Sequence, residues 1–481
     1  MRSWSGVAAG ILALAIVPSC SSGSGKGGDG LQSKTSSSGA SSSGTSGSGG
    51  GASGSGGGTS SGGATSSGGS ASSSGGGGSS SGTSSSGSSS GGPESCLGQS
   101  FLMTLAKNRM IVGGSMAAAT ASSAPFDLQY QYISGGLQDG TGPCASCASG
   151  CTTGGTSCAN AAGGCAWWGC WQYDQDPPGE YVRTFASTCA GEKPAQTPML
   201  TYYQLLQSSG VTEGAPEVTQ AATNATFMAK YFADWRFLLQ QVGTGQALLH
   251  IEPDFWGYAE QQSEDPTSLQ AAVASANPTD CASMPNNIAG MGECMIAMVR
   301  TYAPHALVAL HASAWGTNRD AASNSDPTLD VATVAQKTAA FLAACGEGKA
   351  DFVVVETSDR DAGYYQSQGK NTWWDATNAT IPDFHQDFAY VKALTEALGK
   401  PALYWQTPLG NASQNNTTNH WQDNRVDYFF AHMDEMAAAH AVGAAFGAGA
   451  GDQTTPESDG GNFVTKANAY YAAGGQALCG P

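Results

Sequence analysis

Positive charge is scarce. The 481 residues include 19 Lys and Arg against 37 Asp and Glu, and charged residues of either sign make up 12% of the chain, about half of the usual ~25%. Setting aside residues 1–94 removes Arg2, Lys26, Lys34, Asp29 and Glu94, so the rest carries 16 cations against 35 anions, a net −19. A field of that sign repels phosphate backbones and anionic headgroups, which excludes nucleic acid and acidic membrane surfaces as natural partners. Several chemical signatures are absent too. There is no G-x-S-x-G elbow, P-loop or H-E-x-x-H, so serine-hydrolase, nucleotide and zinc-peptidase chemistry lack their motifs. Long apolar runs are also missing, because the stretch from Val7 to Pro18 behind Arg2 is too short to span a bilayer.

That short stretch ends at Val17-Pro18-Ser19-Cys20, which resembles a bacterial lipobox. The resemblance implies a lipoprotein signal peptide over residues 1–20, lipidation of Cys20, and a protein anchored at the cell envelope, on an outer membrane or the cell surface. An ordinary cleaved signal would make it secreted instead. Residues 21–94 are Ser/Gly-rich and carry almost no apolar side chains, so they cannot bury a core and read as a disordered tether. As a flexible coil it spans roughly 45 Å root-mean-square.

Thirteen cysteines leave one odd. With Cys20 lipidated, the other twelve can form up to six bridges in an oxidising compartment, and no free thiol is expected. Cys281 and Cys294 flank one loop and are expected to pair. Cys96, Cys189, Cys345 and Cys479 fall near strand starts or helix ends. Cys144, Cys147, Cys151, Cys158, Cys165 and Cys170 crowd one segment, read as a disulfide-stapled insertion; zinc at Cys144-x-x-Cys147 is the runner-up, in a cluster without histidine.

Residues 95–481 hold eight short apolar runs of strand length: 110–112, 128–133, 199–203, 247–251, 307–310, 352–355, 402–405 and 442–446. Helix-period stretches cover 287–302, 329–344, 384–398, 423–440 and 463–478, with apolar residues three and four apart. This alternation predicts an α/β fold, a single (β/α)8 TIM barrel with a disulfide-rich insertion after strand 2. An open doubly wound sheet is the competitor, but Gly113-Gly114-Ser115 is not its G-x-G-x-x-G turn.

Working residues of such barrels sit where strands run into the following loops. Strand four ends His250-Ile251-Glu252-Pro253-Asp254-Phe255-Trp256-Gly257, and strand six runs into Glu356-Thr357-Ser358-Asp359-Arg360-Asp361. If side chains alternate, His250, Glu252 and Asp254 share the inward face. Two strands separated by a third lie about 9–10 Å apart, and inward side chains bring their carboxyls near the ~5–9.5 Å used in glycoside cleavage. Glu252 or Asp254, with Glu356 or Asp359, are therefore the candidate acid and base or nucleophile, with roles and stereochemistry open. Trp256, Trp315, Trp373, Trp374 and Trp405 follow or close strands four to seven and suit stacking on sugar rings; Trp167, Trp168 and Trp171 lie in the cysteine-rich insertion. Candidate polar substrate contacts are His250, His311, Ser313, Gln406, Asn411, His420, Asp423, Asn424 and Arg425, with Asp423 also a possible N-cap. The glycine-rich segment 446–451 is taken to have no Lys or Arg nearby and reads as a tight loop that keeps the mouth open rather than a phosphate site.

These landmarks, H-I-E-P-D-F-W-G, S-D-R-D-A-G at 358–363, W-Q-T-P-L-G-N at 405–411 and Q-D-N-R-V at 422–426, resemble secreted bacterial (β/α)8 glycoside-hydrolase-like proteins over about residues 110–451. I-E-P-D at 251–254 also resembles family 6 cellulases, although there D-R-D precedes E-P-D and here it follows. The resemblance names no substrate; with the paired carboxylates and the tryptophans, the expectation is an extracytoplasmic glycoside hydrolase, monomeric and without a cofactor, acting on a poly- or oligosaccharide. Two alternatives stand beside it: a non-catalytic carbohydrate-binding barrel, and a metal-dependent hydrolase using His250, Glu252, Asp254 and His311.

Overall fold

Eight parallel strands close on themselves in a computed structural model that describes residues 96–134, 137, 179–449 and 451–478. They are β1 (Ile111–Gly114), β2 (Leu128–Ile133), β3 (Thr197–Tyr202), β4 (Leu248–Ile251), β5 (Leu307–Ala312), β6 (Val353–Glu356), β7 (Ala402–Thr407) and β8 (Ala441–Phe446). Each pairs with its successor, and β8 returns to β1 with Ile111 opposite Gly443. The predicted (β/α)8 barrel is the observed fold. Strands covered on both faces need apolar side chains on both, and this is why β6 reads Val353-Val354-Val355 and β8 is buried throughout. The expected six-cysteine insertion with Trp167, Trp168 and Trp171, the signal, Cys20 and the tether lie outside the described residues.

Helix starts follow side-chain capping. Asn287 accepts from Gly290 N, Asp330 from Thr333 N, and Asp383 from Gln386 N, ahead of helices Ile288–Tyr302, Val331–Ala344 and Phe384–Leu398. Two expected helices are shorter than their periodicity. The 423–440 stretch divides into Arg425–Ala431 and Met433–Ala438 at His432, which leaves helical geometry (φ −131°, ψ 37°) as its ring stacks 4.0 Å from Tyr428. The last helix ends at Ala472, and Gly474 and Gly475 follow with positive φ, the conformation that stops helices.

Cys281 and Cys294 form the expected disulfide, and Cys96 is disulfide-bonded. The expectation of no free thiol is overturned, because Cys189 and Cys345 are buried free cysteines. Cys189 ends the helix Glu180–Gly191 that feeds β3, whereas Cys345 follows the helix feeding β6. They stand three strands apart around the wall, and a disulfide needs Cα atoms within about 7 Å. Parity cannot see such separation. Thiol titration of the denatured, unreduced protein should therefore find at least two reactive thiols per chain; a count near zero would contradict this arrangement.

Candidate active site

The barrel lumen is floored by aromatic rings from inward positions. Tyr130 and Tyr132 of β2 lie 5.9 and 5.6 Å from Trp405 of β7 (ring centroids), and His250 of β4 lies 4.8 Å from it. His250 Nε2 is 3.1 Å from His311 Nδ1, and His250 Nδ1 is 3.3 Å from Thr201 Oγ1. Burial pushes His311 down to about 3, and burial together with His311 holds His250 well below the usual histidine range. The pair is thus neutral at ordinary pH and acts as a packed, hydrogen-bonded floor.

The carboxyls emerge above this floor. After β4 the chain stops alternating, because Glu252 (φ 47°) and Asp254 (φ 70°) both adopt left-handed φ. Phe255 N bonds Pro253 O at 2.9 Å, which closes a γ-turn on Asp254, a strained conformation of the kind concentrated at functional sites. Simple strand alternation, the premise for placing His250, Glu252 and Asp254 on one face, therefore ends at Ile251. Glu252 is fully buried, and its Oε1 accepts from Gln204 N and Leu205 N, both at 3.1 Å. Asp254 is also buried, and Tyr203 Oη approaches its Oδ2 at 3.5 Å.

Glu356, at the end of β6, is partly accessible. Burial raises its carboxyl well above the usual range, and the charges of Asp254 and Asp359 raise it further. Gln406 Nε2 opposes them by donating to Glu356 Oε1 at 2.9 Å. Gln406 reaches this place because β7 slips register against β8 between Tyr404 and Thr407 and Gln406 takes φ 53°, an irregularity that re-aims a side chain. Asp359 is bonded by Tyr365 Oη and by Arg360 Nε at 3.3 Å; burial nevertheless lifts its carboxyl. The glycine-rich turn after β8 packs against this group. A methyl on Gly449 would fall 1.9 Å from Asp359 O and 2.7 Å from Gln406 Nε2, so only glycine allows that approach. Folding brings Arg360 to this turn, where it borders a shallow recess with Gly447 and Gly449, which overturns the expectation that no cation lies near it.

Behind Asp254 lies a second set of acids. Burial pushes Glu217 up to about 9 and Glu252 up to about 8, against 4.5 for an ordinary glutamate. Both hold a proton in the fold at pH values where the unfolded chain has released it, so the fold binds more protons and loses stability as pH rises through that interval. Melting temperature is accordingly expected to decline from about pH 5 to about pH 9, and Glu217→Gln to flatten part of the decline. A profile rising with pH over that range would contradict the burial of these groups.

Among the other expected site residues, several are packed away. Trp256 and Trp374 are almost fully buried and donate to Ile251 O (2.9 Å) and Ala322 O (2.7 Å). Trp405 lines the lumen, and Trp315 and Trp373 are half-buried. Trp315 lies 4.7 Å from Tyr258, whose hydroxyl donates to Glu213 Oε1 at 2.5 Å. Asn411 donates to Asp459 O at 2.8 Å, and exposed His420 has Nδ1 2.9 Å from Ser458 O, so both serve loop closure.

Asp423 and Arg425 form a buried ion pair (2.8 Å), with the guanidinium 4.5 Å from the Trp374 ring centroid. Asp423 Oδ2 also accepts from Ala362 N at 2.7 Å, and Asp361 accepts from Gly410 N and Thr454 N, both at 2.8 Å. Burial, then the charge of Asp423, pushes Asp361 up to about 7. This knot ties together the loops after β6, β7 and β8.

Sequence reasoning missed Tyr132, Tyr203, Glu213, Tyr258 and Tyr365. Only Tyr132 had a usable signal, since it shares the inward parity of Tyr130 on a predicted strand. His250, Glu252, Asp254 and His311 do not converge on one point: the histidines bond each other and Glu252 faces the β3 loop. Among the described residues, no group of three or more His, Cys, Asp or Glu is arranged to hold a metal ion.

No protein-family model and no curated protein matches the sequence. Among solved structures, the chain is similar to a GH5 xyloglucan-specific β-1,4-glucanase from a ruminal metagenomic library, with 14% identity, 63% of this chain and 79% of that chain covered, and a TM-score of 0.35. It is similar to a glycoside hydrolase family 5 mannosidase from Rhizomucor miehei, with 11% identity, 76% and 92% coverage and a TM-score of 0.36. A family 5 enzyme from Prevotella bryantii, in complex with a xyloglucan tetradecasaccharide, shows 9% identity, 77% and 99% coverage and a TM-score of 0.37.

Proposed function

We propose that the protein is an extracytoplasmic glycoside hydrolase, lipid-anchored through Cys20, that cleaves a poly- or oligosaccharide with Glu356 and Asp254. What supports this reading is a pair of carboxyls from strand ends four and six, near enough for the charge of Asp254 to act on Glu356. Burial holds Glu356 toward its protonated form, and the charge of Asp254 raises it further. Two carboxyls in different environments at one mouth suit an acid and its partner. Glu356 gives its proton to the glycosidic oxygen as the bond to C1 breaks; Asp254 either attacks C1 or takes a proton from the attacking water. Glu252, gripped by two backbone N–H groups, fixes the strained turn that presents Asp254. Asp359 adds to the negative field around Glu356. The half-buried Trp315–Tyr258 pair offers a ring platform beside the mouth.

The test is a panel of neutral and charged polysaccharides incubated with the full-length protein, reading new reducing ends, with Asp254→Asn as the inactive control. Release that Asp254→Asn abolishes supports the reading. Glycan binding without any release would make the barrel a carbohydrate-binding module, and release that Asp254→Asn leaves intact would remove Asp254 from the chemistry. Mass analysis of the mature N-terminus tests the anchor at Cys20.

A further inference from the structure

Nothing in the shape of a glutamine side chain decides which end of its amide faces a neighbour, because the oxygen and the NH2 group are nearly the same size. At Gln406 the choice matters, since its Nε2 donates to Glu356 Oε1 at 2.9 Å. An N–H facing the carboxyl favours its charged form; a carbonyl oxygen turned to the same place would favour the protonated form. The other end of the amide is held by β2, where the Tyr132 hydroxyl donates to Gln406 Oε1. A phenol can also accept, but with Tyr132 donating, as here, only the amide oxygen can receive the proton and the NH2 group is left to Glu356. Gln406 is buried, and the bare Cα of Gly449 lies against its Nε2, which leaves the amide little room to find another partner.

We propose that Tyr132 is a positioning residue for the reaction: acting through Gln406, it fixes which end of the amide meets Glu356 and so sets the pH range over which Glu356 carries its proton. The other titratable groups facing Glu356 are Asp254 from the β4 turn, Asp359 from its own loop, and Tyr130 beside Tyr132 on β2. Tyr130 and Tyr132 are neutral across the working range, because burial raises both hydroxyls. Burial and then the acids raise the midpoint, and among the described residues the Gln406 amide N–H is the hydrogen bond that lowers it. The catalytic consequence rests on Glu356 being the acid; the titration itself does not.

The experiment follows the Glu356 carboxyl in the full-length protein labelled with 13C-glutamate, its signal identified by its loss in Glu356→Gln. Tyr132→Phe keeps the ring against Trp405 and Tyr203, at 5.6 and 6.3 Å, so thermal melting should be close to that of the parent. Its Glu356 midpoint is expected to move up by about one pH unit, the size of a lost charge-assisted hydrogen bond. Gln406→Met should move it similarly, and the double variant no further than Gln406→Met alone, because Tyr132 has then lost the group it acts through. An unchanged midpoint in Tyr132→Phe overturns the proposal, as does a Tyr132→Phe shift that adds in full to that of Gln406→Met. If the midpoints move as expected but no glycan is cleaved by the parent, the relay stands and the hydrolase reading fails.

Discussion

Glu356→Gln is expected to lower glycan hydrolysis by roughly 10²–10⁴-fold, the usual contribution of a positioned general acid, while leaving stability unchanged or slightly higher. The two halves of that result have one cause. Glu356 is held toward its protonated form, and glutamine matches the protonated acid in shape while lacking the proton to give. Its Oε1 can still accept from Gln406 Nε2, so the local hydrogen bond survives. Activity of the parent should fall as pH rises through the raised Glu356 value, because the working form is the protonated one. Near-normal turnover in Glu356→Gln would take the acid role away from this residue; a collapse in melting temperature would show instead that the carboxyl serves the fold.

Arg425→Met should cost about 3–5 kcal/mol of stability, read from denaturant unfolding, since removing one partner of a buried ion pair strands the other. Asp423 would stay buried, losing the 2.8 Å contact to the guanidinium while still accepting from Ala362 N. Arg425 also donates to Thr372 O at 2.9 Å and covers the face of Trp374, so packing is lost along with charge. This prediction departs from a substrate-binding role for Arg425. Weakened glycan binding with unaltered stability would restore that role.

The barrel was legible because its signals are local. Val353-Val354-Val355 is a buried strand by composition, and Asn287, Asp330 and Asp383 mark helix starts by their own side chains. Asp254 and Glu356 could be found as acids at strand ends, which needs only the strand positions. The directions of the carboxyls could not, because Glu252, Asp254 and Gln406 take left-handed φ, and alternation fails where backbone turns of that kind begin. Tryptophan exposure was equally hidden. Trp374 follows β6 as a rim residue would, yet Arg425 covers it from the start of a helix some fifty positions later. Cys189 and Cys345 escaped because counting assigns partners without regard to place.

The knot made by Asp361 and Asp423 also bears on how the barrel opens. Ala362 N, Gly410 N and Thr454 N are donors from three successive βα loops, and all three end on carboxyl oxygens of those two residues. Releasing any one strand of the tie leaves a buried carboxyl short of a donor, which disfavours separate opening. The three amides should therefore share one protection free energy in native-state hydrogen exchange and behave as a cooperative unit. Three of the eight loops at the mouth would then open and close as a single piece.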